Sequence, residues 1–168
     1  MKLGFLTACL PNRSLPDIAA WAAGNGFEAL EVAAWPDLGA RPFTATHLKV
    51  DGFGQREADE ARTLFGRHGL TLSSLAYYDN NLHPDRDERT AAHAHLHRCI
   101  DAAALLGCPT VGTFVGRDPT RSVVENLRDA ESVFRPLVDH AGEAGVKLII
   151  ENCVMEGWHP DGYPGNLA

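Results

Sequence analysis

No run of apolar residues in this chain comes near the roughly 18 needed to cross a bilayer. The longest strong one, Val146 to Ile150, has a lysine inside it, so no membrane partner is expected. Basic residues are outnumbered, 15 against 22 acids for a net charge of −7 with histidine neutral. They form no block, and an electrostatic footprint for nucleic acid is not expected. Cysteine is sparse and unpatterned: positions 9, 99, 108 and 153 make no C-x-x-C pair, zinc-finger spacing or disulfide framework. Buried free thiols are the expectation. Phosphate motifs are missing too. Gly52-Phe53-Gly54 is too short for a dinucleotide loop, and neither a P-loop nor a G-x-S-x-G nucleophile elbow occurs. Only eight residues precede Cys9, too few for an apolar signal region ahead of a lipoprotein-like box. The expected compartment is cytoplasmic, where the sequon Asn12-Arg13-Ser14 goes unused.

What is present is the composition of a packed domain, 45% hydrophobic and 22% charged, with a recurring junction along it. Four times a helix-like stretch ends at glycine and a β-branched or leucine-rich run follows. Gly26 leads into Phe27 to Val32, Gly69 into Leu70 to Leu75, Gly107 into Pro109 to Phe114, and Gly145 into Val146 to Glu151. Glycine takes the left-handed conformation that ends a helix, so each junction reads as helix stop and strand start. A first strand covers Leu3 to Thr7. The stretches between have helical periodicity, with expected core stripes of Ile18, Trp21 and Ala22, then Ala58, Ala61, Leu64 and Phe65. A third stripe joins Leu96, Ile100, Ala103 and Ala104 in a helix from about Asp87 to Leu106. The fourth, about Arg121 to Glu143, holds Val124, Leu127, Val133, Phe134, Leu137 and Val138, and Pro136 is expected to start, break or kink a helix there.

Strand, helix, strand with crossovers of this length makes parallel strands joined right-handedly. Two architectures satisfy that: a doubly wound sheet and a (β/α)8 barrel. The units recur about every 36 residues, so eight would need roughly 280, and the turn-rich stretch after Glu151 carries no helix to cover a doubly wound sheet. The expectation is one domain over residues 1–168 with α/β architecture: a partial (β/α)8 TIM barrel of about four βα units plus a fifth parallel strand.

Ligands of either fold bind beyond the carboxyl ends of the strands. Glu151 follows Leu148-Ile149-Ile150 at such an end, where a carboxylate needs a metal, a cation or hydrogen-bond donors; a surface Glu capping the next loop is the plainer alternative. Asn152 beside it either orients a hydroxyl or stabilises a turn. Beyond them Glu156, Trp158, His159, Asp161 and Tyr163 mix aromatic faces with polar anchors, the mixture that suits a polyol. Other strand ends add Cys9, Glu31 with Trp35, Tyr77 and Tyr78 followed by Asn80, Asn81 and His83, and Phe114 with Arg117. Each has a packing alternative, near even for the tyrosines, and Glu31 reads more readily as a buried polar group of a barrel interior than as a site residue. His93 and His97 share a helix face at a spacing zinc uses. However, His93 falls on the apolar stripe and His95 away from it, so a partly packed helix is the better reading.

Four stretches in this order, Gly26-Phe27-Glu28-Ala29-Leu30-Glu31-Val32, Ala76-Tyr77-Tyr78-Asp79-Asn80-Asn81-Leu82-His83-Pro84-Asp85, Leu106-Gly107 through Gly116, and Ile149-Ile150-Glu151-Asn152, resemble the sugar phosphate isomerase/epimerase family of xylose isomerase-like TIM barrels. The resemblance runs over essentially the whole chain and corresponds to the first five strands of the family barrel. It implies a divalent metal (Mn, Mg, Co or Zn) at the barrel mouth, with Glu151 as one ligand and the others after strands six to eight. It further implies a carboxylate pair moving a proton next to a carbonyl, Glu151 being one member. Trp35, Tyr78, Arg117, Asn152, Glu156, Trp158 and His159 are then the substrate-contact candidates, and a small carbohydrate or cyclitol is the partner. With one carboxylate of the set, these residues alone are expected to be inactive. An open half-barrel is also expected to self-associate into a homo-oligomer through its unpaired edges. The alternatives are an endonuclease IV-like phosphodiesterase and a noncatalytic half-barrel that assembles or binds a ligand.

Overall fold

The structure, a computed structural model, describes residues 1–37 and 44–151. Five parallel strands, β1 (Gly4–Leu6), β2 (Ala29–Ala33), β3 (Thr71–Ala76), β4 (Thr110–Thr113) and β5 (Lys147–Ile150), lie in the order 1-2-3-4-5. That order settles the architecture. A doubly wound sheet reverses its strand order at a switch point, whereas here every neighbour in sequence is a neighbour in space. Crossovers are made by α1 (Leu15–Gly24), α2 (Gln55–His68), α3 (Arg86–Leu106) and α4 (Val123–Glu143), with a short 3-10 turn at Thr7–Cys9. The described residues form an α/β partial TIM barrel.

Local chemistry explains the boundaries. Ser14 accepts the backbone N–H of Asp17 at the start of α1, Asp85 accepts those of Asp87 and Glu88 ahead of α3, and Ser122 with Glu125 forms a capping box at α4. Gly69 and Gly107 end α2 and α3 at φ of 64° and 69°. The core lies between the outer face of the sheet and the helices, where Ile18, Leu30, Val32, Leu75, Leu96, Ile100, Val111 and Leu137 are essentially sealed from solvent. No helix of the described residues is long and apolar enough to cross a membrane.

Several packing expectations are corrected. Trp21 is 52% exposed and caps the outside of Phe5 and Phe27 instead of entering the core. Ala104 faces solvent, while His95, expected away from the stripe, is buried and bonds through Nε2 to the Ala34 carbonyl at 2.7 Å. The cause is stripe width. α3 covers neighbouring strands, so positions 92, 95, 96, 99, 100, 103 and 106 all turn inward. α4 runs unbroken through Pro136, because Ser132 and Pro136 lie on the solvent side, where the carbonyl freed by the missing N–H reaches water. Val124, Leu127 and Val138 of its expected stripe are exposed, and Leu137 and Ala141 make the seal. Cys99 and Cys108 are buried free thiols as expected, Cys9 is exposed, and Cys153 lies outside the described residues.

Ile100 is fully buried and Val124 is 57% exposed. Ile100→Ala should lower the unfolding free energy by about 2–5 kcal/mol in urea titrations, and Val124→Ala should change it by less than about 0.5 kcal/mol. Ser122→Ala should cost about 1 kcal/mol through the lost cap.

Candidate active site

In a parallel pair, residues in register point to the same face, and the face alternates along each strand. The pairings Leu6 with Glu31, Glu31 with Ser74, Ala76 with Gly112, and Gly112 with Ile149 therefore define the inner, concave face. A register shift between Leu30 and Glu31 sets Ser74 opposite Glu31, and Ser73 at the irregularity donates its hydroxyl to the Leu30 carbonyl. Two residues beyond Ile149, Glu151 falls on that same face at the carboxyl end of β5. Its N–H continues the ladder to the Thr113 carbonyl at 3.1 Å, and its side chain is open to solvent.

Below this rim lies a hydrogen-bonded pair. The Tyr78 hydroxyl donates to Glu31 Oε1 at 2.6 Å, the short distance of an O–H facing a carboxylate. Space for it comes from Gly112: a Cβ there would stand 2.3 Å from the Tyr78 oxygen and 3.0 Å from Glu31 Oε1. Ala33 and Ala76, both fully buried, keep the neighbouring positions equally small. Burial pushes the Glu31 carboxyl above its ordinary range against the bond from Tyr78, and the negative charge of Glu151 pushes the same way. The Tyr78 phenol is also raised, by burial first, then by its bond to Glu31 and the two carboxylate charges. Thus Glu31, Tyr78 and Glu151 share one electrostatic environment.

Aromatic neighbours hold Tyr78. Its ring lies 6.0 Å from Trp35 and 4.9 Å from Phe114 between centroids. Trp35 donates Nε1 to the Tyr78 carbonyl at 3.3 Å and is only 4% exposed, so it forms a wall behind Tyr78 instead of a surface for ligand. Arg117 is placed by its backbone: its N–H donates to Asn80 Oδ1 and its carbonyl accepts from Asn80 Nδ2, both at 2.8 Å. Gly116, at φ 80°, leaves the room that the Asn80 amide occupies. Asn80 and Asn81, candidates from the sequence, are buried fasteners of these loops, Asn81 bonding Thr113 Oγ1 and the Phe114 carbonyl. Asn152, Glu156, Trp158 and His159 lie outside the described residues.

The structure thus gathers Trp35 and Tyr78 with Glu151 nearby, and adds Glu31 as a member whose weight the sequence understated. Its visible signal was a lone acid on an otherwise Ala/Leu/Val strand, with alanine and glycine at matching places on the next strands. His47 is a second addition: Nδ1 meets Thr7 Oγ1 at 2.9 Å, and that same hydroxyl oxygen accepts the Ala33 N–H. Burial lowers the affinity of His47 for a second proton. A separate cavity of about 330 Å³, lined by Tyr77, Asp79, His95 and Arg98, opens among the outer loops. Among the described residues no three His, Cys, Asp or Glu side chains are grouped to hold a metal ion. Glu151 is a single rim carboxylate, and these residues do not by themselves fit a divalent ion.

A search of curated proteins finds no match. Solved structures do match. A putative xylose isomerase from Rhodospirillum rubrum superposes with a TM-score of 0.68 at 22% identity, covering 92% of this chain and 55% of that one. D-psicose 3-epimerase from Clostridium cellulolyticum, solved with D-tagatose, gives 0.69 at 19% identity, covering 95% and 54%. The IOLI protein, solved with a bound zinc atom, gives 0.68 at 18%, covering 89% and 51%. The chain spans about half the length of these relatives, and at such identities the likeness is one of fold. The profile of the xylose isomerase-like TIM barrel family matches residues 19–167, and with the sequential parallel sheet this places the chain in that family.

Proposed function

We propose that this chain supplies an acid/base carboxylate of a carbohydrate isomerase or epimerase, with Glu151 moving a proton at the carbon next to a carbonyl. The observation that carries the reading is the position of Glu151: inner face, carboxyl end of β5, within electrostatic reach of Glu31 and Tyr78. That end of a parallel barrel is where catalytic groups of this architecture sit. Support also comes from the similar D-psicose 3-epimerase solved with D-tagatose.

In this reading Tyr78 faces the substrate, Trp35 holds Tyr78, and Arg117 stands on the neighbouring loop. Asn152, Glu156, Trp158 and His159 remain proposed contacts from the stretch that follows. A divalent ion would find one donor in Glu151 among the described residues, so the proton transfer is assigned to the carboxylate itself. A free, uncharged polyol fits the acidic inner face better than a polyanion does, which also weighs against the phosphodiesterase alternative.

Homo-oligomerisation belongs to the same proposal. The outer edges of β1 and β5 pair with no further strand among the described residues, and Leu3, Ile149 and Ile150 are 61%, 41% and 47% exposed there. Such edges recruit another chain.

Incubation with D-tagatose or D-fructose in D2O, followed by proton NMR, tests the assignment. With one carboxylate of the pair among the described residues, deuterium should not enter next to the carbonyl on this chain alone; exchange that persists undiminished in Glu151→Gln rejects the role. In sedimentation velocity the chain should run heavier than a monomer, and a monomer at high concentration with a cooperative melt would remove the oligomer proposal.

A further inference from the structure

We propose that Glu31 is a positioning residue for Tyr78: by accepting the phenolic O–H in the space Gly112 leaves, it turns the phenol oxygen into a fixed hydrogen-bond acceptor that reads a donating hydroxyl of the substrate. The inference rests on the carbohydrate reading above and adds to it a polarity at one place on the inner face.

A tyrosine hydroxyl has one proton to give and lone pairs with which to accept. Here the proton is committed to Glu31 Oε1 at 2.6 Å, so what the oxygen can still offer a ligand is acceptance. Rotation cannot release it. The ring is held by Trp35 and Phe114, and the Trp35 indole is bonded to the Tyr78 backbone carbonyl. Glu31 stands in the middle of β2, paired on one side with Leu6 and on the other with Ser74, and is no freer to move. Gly112 completes the arrangement, because any Cβ there would overlap the phenol oxygen.

The surrounding charge favours the same polarity. Glu31 and Glu151 both raise the energy of a phenolate, so the phenol keeps its proton and shares it with Glu31. A sugar hydroxyl arriving at this oxygen must then donate, and a group that can only accept, such as a carbonyl or a phosphate oxygen, meets an oxygen with nothing to give. The floor therefore sorts substrates by hydroxyl pattern and not by size alone.

Five variants test this on the full chain: Glu31→Leu, which removes the acceptor; Glu31→Gln, which keeps one; Tyr78→Phe; the double variant Glu31→Leu with Tyr78→Phe; and Gly112→Ala. Binding of D-tagatose and D-fructose is measured by calorimetry, and the near-ultraviolet tyrosine band by difference spectroscopy against Tyr78→Phe. Loss of one hydrogen bond predicts binding about three- to tenfold weaker in Glu31→Leu and in Tyr78→Phe. The double variant should lose no more than either single one, and Glu31→Gln should recover most of the affinity. Gly112→Ala should weaken binding to the same degree and shift the tyrosine band as Glu31→Leu does. Glu31→Leu is expected to fold, since it relieves a buried carboxyl whose raised pKa costs stability as pH climbs from the ordinary carboxyl range toward neutrality; Glu31→Gln provides the same readouts if it does not.

Wild-type binding retained in Glu31→Leu, or losses that add in the double variant, overturns the inference while the carbohydrate reading stands. If neither ketohexose binds the wild type, the carbohydrate reading falls and the substrate part of the inference with it. The band shift then decides whether Glu31 holds the phenol proton at all, an unshifted band in Glu31→Leu rejecting it.

Discussion

One missing side chain organises the inner face. Gly112 has no Cβ, and the Tyr78 oxygen together with Glu31 Oε1 uses that volume. A half-buried carboxylate on a central strand is costly unless it finds donors. Here the donor arrives from the end of the next strand, two residues past Ala76, and can do so only because the intervening positions on β2, β3 and β4 are Ala33, Ala76 and Gly112. The acidic field this creates extends to Glu151. The polar character of the interior is thus a packing result before it is a chemical one.

The outer layer solves a different problem. Each strand turns its alternate residues toward the helices, and Leu30, Val32, Leu75 and Val111 meet Ile18, Leu96 and Ile100 in a dry seam. That seam carries the stability, while the loops at the carboxyl ends carry the exchangeable chemistry. They are nonetheless tied down: Asn80 grips both backbone groups of Arg117, and Asn81 spans to β4. Polar side chains that look available in the sequence are consumed in fixing where the loops stand. Toward β5 the seam weakens: Leu148 still packs against the core, but Ile149 and Ile150 are both exposed, on opposite faces of the strand.

Most of the fold was legible from the chain itself. Strand cores fell within one or two residues of expectation because a β-branched run after a glycine stop is a local event, and Gly69 and Gly107 do adopt the left-handed cap. Trp21 and His95 were misplaced because helix periodicity tells which residues share a face, not how wide a surface that face must cover. α3 packs over neighbouring strands and so buries His95, while Trp21 sits on the margin beside the open edge of β1. Pro136 was overvalued as a breaker, since its cost depends on whether the freed carbonyl meets water. The candidate site was half legible: Glu151 and Tyr78 stood out at strand ends, whereas Asn80 and Asn81 could not be recognised as fasteners without their partners.

Local sequence determined the alternation of strands and helices, their caps, and the acid that follows β5, because each depends on residues a few positions apart. Strand order was decided only in three dimensions, and it is what separates a barrel segment from a doubly wound sheet. The Glu31 and Tyr78 pair was decided there as well. Its members lie 47 residues apart in sequence and the glycine that admits them is 34 further on, so no local pattern links them and only the register of three strands brings them to one point.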